Sequence, residues 1–254
     1  MLELKNISAG YGKTDVITDV SLKLDDGSLN VIIGPNGCGK STLIKSVIGN
    51  VALTQGEVIL DGESLPRGTE RAKRISYLPQ GNLTPEMTVG DLVLQGRFPL
   101  LGFPRRYSRS DRAAAKSALE KMGLTELSDR YMSTLSGGMK QRAFIAMTLA
   151  TGSDHLLLDE PTAYLDVAGK MALMEILREL TSNGHTVAAV IHEVDIAMRY
   201  ADRVCVLDGG KAVFCGTPEE LYSDGIIEKV FGVTLGRAEG EDGYCYYYGT
   251  KKGE

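Results

Sequence analysis

No stretch of this chain approaches the roughly 18 uninterrupted apolar residues that span a bilayer, so its sequence offers no transmembrane helix. A basic excess is missing too: 28 Lys and Arg stand against 33 Asp and Glu, a formal net charge of −5. A general nucleic-acid binder would gather cations instead. The chain starts Met1-Leu2-Glu3-Leu4-Lys5, with an early charge and no apolar segment behind it, unlike a secretory signal. A cytoplasmic location is the expectation. Cysteine is sparse. Cys38, Cys205, Cys215 and Cys245 show no C-x-x-C spacing, which argues against zinc. Cys205 and Cys215 flank Gly209-Gly210, and a hairpin there would bring them close. The plainer expectation is buried free thiols in a reducing compartment. Internal repeats and low-complexity tracts are also lacking, which sets aside solenoid and linker architectures.

What is present is the balance of a globular protein. The 254 residues suffice for one large α/β domain or two small ones, and 43% hydrophobic with 24% charged residues is ordinary. Residues 1–33 pattern as strands: Val20, Leu22 and Leu24 alternate with polar neighbours, and Leu29 to Ile33 is a short buried-strand run ending at Gly34. Thr42 to Ile48 patterns as helix, Gly56 to Leu60 and Arg74 to Leu78 as strands. From 82 to 152 helical patterns dominate, at 88–96, 110–122 and 138–151. Between the first two, Pro and Gly in Arg97 to Tyr107 break any helix. The α/β pattern resumes with a strand at His155 to Asp159, a helix at 167–182, a strand at Thr186 to Ile191 and a helix at 193–201. Val204 to Leu207 and Ala212 to Phe214 predict a hairpin. Thr217 and Pro218 read as the cap and first residue of a short helix. The tail from Gly232 is Gly- and Tyr-rich and patterns as two short strands.

Two motifs carry chemistry. Gly34-Pro35-Asn36-Gly37-Cys38-Gly39-Lys40-Ser41 fits G-x-x-x-x-G-K-[ST], with Thr42 following. Glycines let the backbone curl so that N–H groups converge, and the next helix adds partial positive charge. Lys40 can reach the β- and γ-phosphates of a nucleotide, and the Ser41 hydroxyl can ligate Mg²⁺. Leu156-Leu157-Leu158-Asp159-Glu160 is an apolar strand ending in two acids, placed where parallel sheets open into a ligand crevice. Asp159 can orient Mg²⁺ through water, and Glu160 can polarise an attacking water. Phosphoanhydride hydrolysis needs such positioning more than covalent chemistry.

Between them stands Leu135-Ser136-Gly137-Gly138-Met139-Lys140-Gln141-Arg142. With Gln80, Leu165-Asp166 and His192, the whole order from Met1 to about Phe231 resembles an ATP-binding cassette (ABC) ATPase subunit. The resemblance implies an α/β P-loop NTPase fold, with a mixed, mainly parallel sheet, an N-terminal antiparallel β region and an inserted helical subdomain. On that reading, 1–81 and 153–231 form the nucleotide-binding core, 82–152 the helical subdomain, and 232–254 a tail. It implies ATP and Mg²⁺ as ligands. Tyr11 resembles the aromatic that stacks on adenine, and Gln80 the glutamine that ligates Mg²⁺ and senses a membrane partner. Ser136, Gly137 and Gly138, with Gln141 in the same run, resemble the signature that closes over the other subunit's γ-phosphate. Asp166 resembles the acid linking two sites, and His192 the switch histidine at the γ-phosphate. Ala163, Glu193 and Met139-Lys140 depart from the commoner Ser, Asp and Gln-Arg without removing a group assigned to chemistry.

A narrower resemblance rests on Gly96-Arg97-Phe98-Pro99, Ser110-Asp111 and Arg199-Tyr200-Ala201-Asp202-Arg203. These are similar to importers of iron–siderophore, haem and cobalamin. The implied assembly is a homodimer on two integral membrane permease subunits, fed by a separate extracytoplasmic substrate-binding protein. No nucleic acid is implied, and the membrane is met only through the permease, at its cytoplasmic face. A ferric chelate is the expected cargo, with haem or cobalamin as alternatives. The run Phe98 to Tyr107 reads equally as a docking segment and as an irregular surface connection. Two other classes stay open: an ABC ATPase acting on nucleic acid, and a non-hydrolysing nucleotide sensor. Glu160 and His192 count against the sensor.

Overall fold

Alternation of apolar and polar residues, interrupted by register shifts, builds the first sheet of the computed structural model, which describes residues 1–81, 83–240 and 243–250. Strand β1 (Leu2–Tyr11) lies between β2 (Thr14–Leu24) and, beyond the phosphate loop, β4 (Leu53–Leu60), both antiparallel to it. Leu2 faces Leu24 on one side and Leu60 on the other, and Leu4 faces Leu22 and Val58. Between β2 and β4 come β3 (Leu29–Ile33) and helix α1 (Lys40–Val47). The two-residue strand β5 (Glu63–Ser64) closes the edge. Strand β4 starts earlier than its apolar run because the pairing with β1 extends to Ala9 opposite Leu53.

The chain divides into two compact units: Met1–Leu65 together with the chain from Arg178 on, and Pro66–Leu177. The second unit holds α2 (Thr69–Arg74), β6 (Ile75–Leu78), α3 (Val89–Gln95), α4 (Arg109–Lys121), α5 (Gly137–Ala150) and β7 (His155–Asp159). Helix α6 (Val167–Ser182) leads back into the first unit, which continues with β8 (Thr186–Val190), α7 (Val194–Tyr200), β9 (Arg203–Asp208) and β10 (Lys211–Gly216). It ends with α8 (Pro218–Asp224), α9 (Ile226–Phe231), β11 (Val233–Gly240) and β12 (Gly243–Thr250).

In the first unit β3 runs parallel to both β8 and β9, and its five residues are all buried. Burial on both faces explains why these strands read as continuous apolar runs rather than alternating ones. Strand β10 folds back antiparallel on β9 around Gly209-Gly210. Cys38, and Cys205 on β9, are buried, but Cys215 on the edge strand β10 and Cys245 on β12 are exposed, so the expectation of buried thiols holds for two of the four. Thr217 caps α8 in a reciprocal bond with Glu220, with Pro218 first in the helix. The β11–β12 hairpin latches onto α7: the Tyr248 hydroxyl donates to the Asp195 carboxylate at 2.8 Å and accepts from the Asp195 N–H at 3.0 Å. Arg237 lies between the rings of Tyr222 and Tyr244, 4.5 and 4.3 Å from their centroids, and donates to Glu219.

In the second unit β6 and β7 are parallel, Ile75 beside His155 and Leu78 beside Leu158. Helices α3, α4 and α5 pack on one another. Helix α4 buries Ala115, Ala118, Leu119 and then Met122, one stripe at helical spacing. Helix α5 is buried over most of its circumference from Ala143 to Ala150, so it lacks a polar face there. Gly96 is held to glycine by closeness, since a Cβ would stand 2.0 Å from the Met147 carbonyl oxygen. Arg97, next in line, ties three segments together. It donates to the Asp111 carboxylate at 2.9 Å and to the carbonyl oxygens of Ala150 and Thr151 at 2.9 and 3.0 Å. The Gly96-Arg97 and Ser110-Asp111 stretches thus have a packing role inside this unit.

Asp111 also completes a capping box with Ser108. The Ser108 hydroxyl and backbone N–H, and then the Arg97 guanidinium, hold its carboxyl down to about 2. An unfolded Asp titrates near about 3.9. The folded value is the lower one, so the stabilisation is complete above about pH 4 and is lost as pH falls toward about 2. Asp111→Asn should therefore be less stable than wild type at pH 6, and the gap should close between about pH 4 and 2. Denaturant melts at stepped pH measure this; a gap independent of pH would mean that the Asp111 charge is not the source.

Candidate functional site

The first unit supplies a phosphate cradle. Strand β3 ends at Ile33, and the backbone then turns through Gly34, Gly37 and Gly39 at φ 155°, 79° and 107°. Gly34 and Gly39 are fixed by space as well. A Cβ on Gly34 would stand 2.2 Å from the Leu207 carbonyl oxygen, and one on Gly39 2.6 Å from Ile17 Cγ2. Lys40 opens α1 and is only 6% exposed. Its ammonium folds back over the loop, donating to the carbonyl oxygens of Gly34 at 2.7 Å and Pro35 at 2.9 Å. These bonds hold the cation at the mouth of the loop. The first turn of α1 contains no acid to oppose an anion. Ser41 and Thr42 follow Lys40 in that turn, and Thr42 is buried. Cys38 is buried against the loop, and burial pushes its thiol up, so it is a packing residue rather than a nucleophile. Asn36 is exposed in the loop.

Two further expected residues lie in this unit. Strand β8 runs beside β3, and the Ile191 N–H donates to the Ile32 carbonyl oxygen at 3.1 Å. His192, the next residue, is exposed and leaves the sheet at the same edge as the phosphate loop. That is the edge where parallel α/β sheets bind ligands. Tyr11 ends β1 and is 58% exposed, free to offer a ring face.

The second unit holds the remaining residues. Leu78 and Leu158 are register partners, so Gln80 and Glu160, each two residues on, leave β6 and β7 at one edge. Gln80 is exposed. Asp159 is 1% exposed, with the Tyr77 hydroxyl donating to its Oδ2 at 3.5 Å. Glu160 has φ 54°, in the left-handed region that a non-glycine residue enters only at a cost. Ser136 caps α5, its hydroxyl accepting from the Met139 N–H at 3.4 Å. The first turn of α5, like that of α1, contains no acid. A cavity of about 130 Å³ is lined by Gly137, Lys140, Gln141, Glu160 and Tyr164 among others. Asp166 has a structural task, since its carboxylate accepts from the Gly169 N–H at 2.7 Å at the start of α6.

Three residues at this site receive no role from the sequence. Tyr77 meets Asp159 across 82 positions, which no local pattern reveals. Lys140 stands within the signature run, but only the cavity gives it a place. Tyr164 is 91% exposed at φ 63°, a combination that its apolar neighbours conceal.

A phosphate loop behind a buried parallel strand, a second strand ending in Asp-Glu and a capped Ser-Gly-Gly helix define an ATP-binding P-loop protein. The ABC transporter family model matches residues 17–163. The chain belongs to the ABC transporter family and is an ATPase of that family. The Escherichia coli (strain K12) ferric enterobactin transport ATP-binding protein FepC is 40% identical, over 90% of this chain and 86% of its own length. A solved ABC transporter assigned to the metal-chelate type, in an inward-facing conformation, superposes with a TM-score of 0.86 at 25% identity, covering 98% of each chain. A dimeric ATP-binding cassette in a post-hydrolysis state, bound to ADP and Pi, gives 0.72 at 28% identity, covering 86% of this chain and 99% of its own. Among the described residues no helix is long and apolar enough to cross a membrane.

ATP at about 100 times its Kd should stabilise the wild-type chain by about 2.7 kcal/mol. Lys40→Ala and Gly34→Ala should each lose most of that increment in a thermal-shift assay. Retention of the full increment in either variant would place the phosphates elsewhere.

Proposed function

We propose that this chain is the ATP-hydrolysing subunit of an importer for ferric siderophores or related iron chelates. The observation that carries the ATPase geometry is a pair of helix N-termini without acids in their first turns, α1 behind the phosphate loop and α5 behind Ser136. One such terminus holds an anion, and two suit a nucleotide shared between subunits. The likeness to a ferric enterobactin subunit supports the cargo. In this reading 82–152 is the helical subdomain, 1–81 and 153–231 are the core, and 232–254 is an appended tail.

The phosphates of ATP lie in the loop 34–39, under its N–H groups and the Lys40 ammonium. Tyr11 stacks on the adenine. Glu160 accepts a hydrogen bond from the attacking water and orients it, while His192 contacts the γ-phosphate. Ser136, Gly137, Gly138 and Gln141 of a second copy close over the same phosphate, and Asp166 links the two sites. Ser41, Gln80 and Asp159 fit Mg²⁺ in kind: each offers hard oxygen, and few protein ligands suffice for this ion. When bound there, Mg²⁺ would supply charge neutralisation to phosphoryl transfer. Because ATP touches both copies, it binds the closed dimer preferentially, and closure does the work. Two permease subunits carry that motion across the membrane from its cytoplasmic face, and a separate extracytoplasmic protein delivers the chelate. Co-purified with its permease in vesicles, the ATPase should respond to a ferric chelate. A response to haem or cobalamin alone would reassign the cargo.

Glu160→Gln should bind ATP nearly as wild type, lose about 10²–10³-fold in turnover, and elute as an ATP-bound dimer on a sizing column. Wild-type turnover would remove the role given to Glu160.

The shared site has its own test. Lys40→Ala and Ser136→Arg, each inactive alone, should regain activity when mixed. In the heterodimer both lesions fall in one composite site and the other site is complete. Absence of recovery, with heterodimers shown to form by a tag on one chain, would count against a shared site.

A further inference from the structure

Two of the four cysteines face each other across a strand pair, and the ATP chemistry uses neither. The register of β9 and β10 sets Cys205 opposite Cys215, and their sulfurs stand 2.8 Å apart with both thiols free. Opposed residues in an antiparallel pair have Cα atoms about 4.5–5.5 Å apart. A disulfide spans roughly 4.4–6.8 Å between Cα atoms, so the strands can accept the bond in their present register. Access is one-sided, because Cys205 is 7% exposed whereas the Cys215 residue faces solvent. Both cysteines line a crevice of about 10 Å³, with Lys23 and Arg203 at its wall. That is room for about one water-sized molecule, and Arg203 at its wall favours a thiolate on Cys215.

We propose that Cys205 and Cys215 form a redox modification site, closed to an intramolecular disulfide by a low-molecular-weight disulfide and reopened by the corresponding thiol. Cys215 attacks first. Hydrogen bonding with Cys205 holds its thiol below the usual thiol range against partial burial of the sulfur, and Arg203 adds to the effect. The same hydrogen bond, and then burial, push the Cys205 thiol up. The Cys215 thiolate attacks one sulfur of the small disulfide. That S–S bond breaks, and one small thiol leaves with the proton that Cys215 released. Cys205 then gives up its proton and attacks Cys215 Sγ. The mixed S–S bond breaks, and the second small thiol leaves with that proton. Two protein thiols are oxidised and one small disulfide is reduced to two thiols, so the exchange needs no other reagent.

The test uses the full, reduced chain with graded ratios of oxidised to reduced glutathione, acid quenching, alkylation and peptide mass spectrometry. Alkylation of Cys205 and Cys215 should be lost together, with recovery of one linked peptide pair lacking two hydrogens. Excess reduced glutathione should restore both. Cys205→Ser should trap Cys215 as a stable glutathione mixed disulfide, because no neighbour remains to expel the glutathione. The proposal is overturned if wild-type Cys215 accumulates that mixed disulfide while Cys205 stays alkylatable. It is equally overturned if Cys215 stays alkylatable in excess oxidised glutathione, or links to Cys245 instead. The wild-type measurement decides alone, whatever the stability of the variant.

Discussion

Strand β9 runs so close to Gly34 that a methyl group there would stand 2.2 Å from the Leu207 carbonyl oxygen. Much of the first unit follows from that closeness. The phosphate loop is pressed against the sheet by its first glycine and against Ile17 by its third, so its curl is set by packing. The curl in turn presents the carbonyl oxygens of Gly34 and Pro35, which hold Lys40. Strand β3 can feed such a loop only because β8 and β9 flank it and bury both its faces. A cation held on backbone oxygens has little rotamer freedom left to lose when an anion arrives, so binding costs less ordering.

The elements that sequence reading locates well are those whose burial is simple. Leu29 to Ile33, His155 to Asp159 and Thr186 to Val190 are fully buried strands, and their apolar runs mark them. Helix α6 buries Leu173, Leu177 and Leu180 at helical spacing, and Thr217 announces its own cap. Helix α2 has no buried residue and so leaves no apolar stripe to detect, while α9 is only six residues long. The phosphate loop, the Asp-Glu strand end and the signature helix are legible because each is a contiguous motif. Contacts between distant segments are not legible that way. Tyr77 with Asp159, Tyr248 with Asp195 and Arg97 with the end of α5 depend on topology.

Several residues that carry the two resemblances also hold local structure. Ser136 closes the first turn of α5, Asp166 closes the start of α6, and Arg97 joins α4 to the end of α5. A helix N-terminus that binds an anion needs its backbone N–H groups fixed in direction, and a capping side chain provides that. Under the roles proposed for Ser136 and Asp166, removing either side chain would disturb local structure and the site together.

The left-handed backbone at Glu160 has a consequence for the engineering of this chain. Holding an L-residue other than glycine there costs about 1–2 kcal/mol, and glycine or asparagine would sit more comfortably. A library of variants ranked by melting temperature alone would reward such replacements at position 160 and discard the carboxylate. Under the role proposed for Glu160, robustness and turnover would pull this one residue in opposite directions.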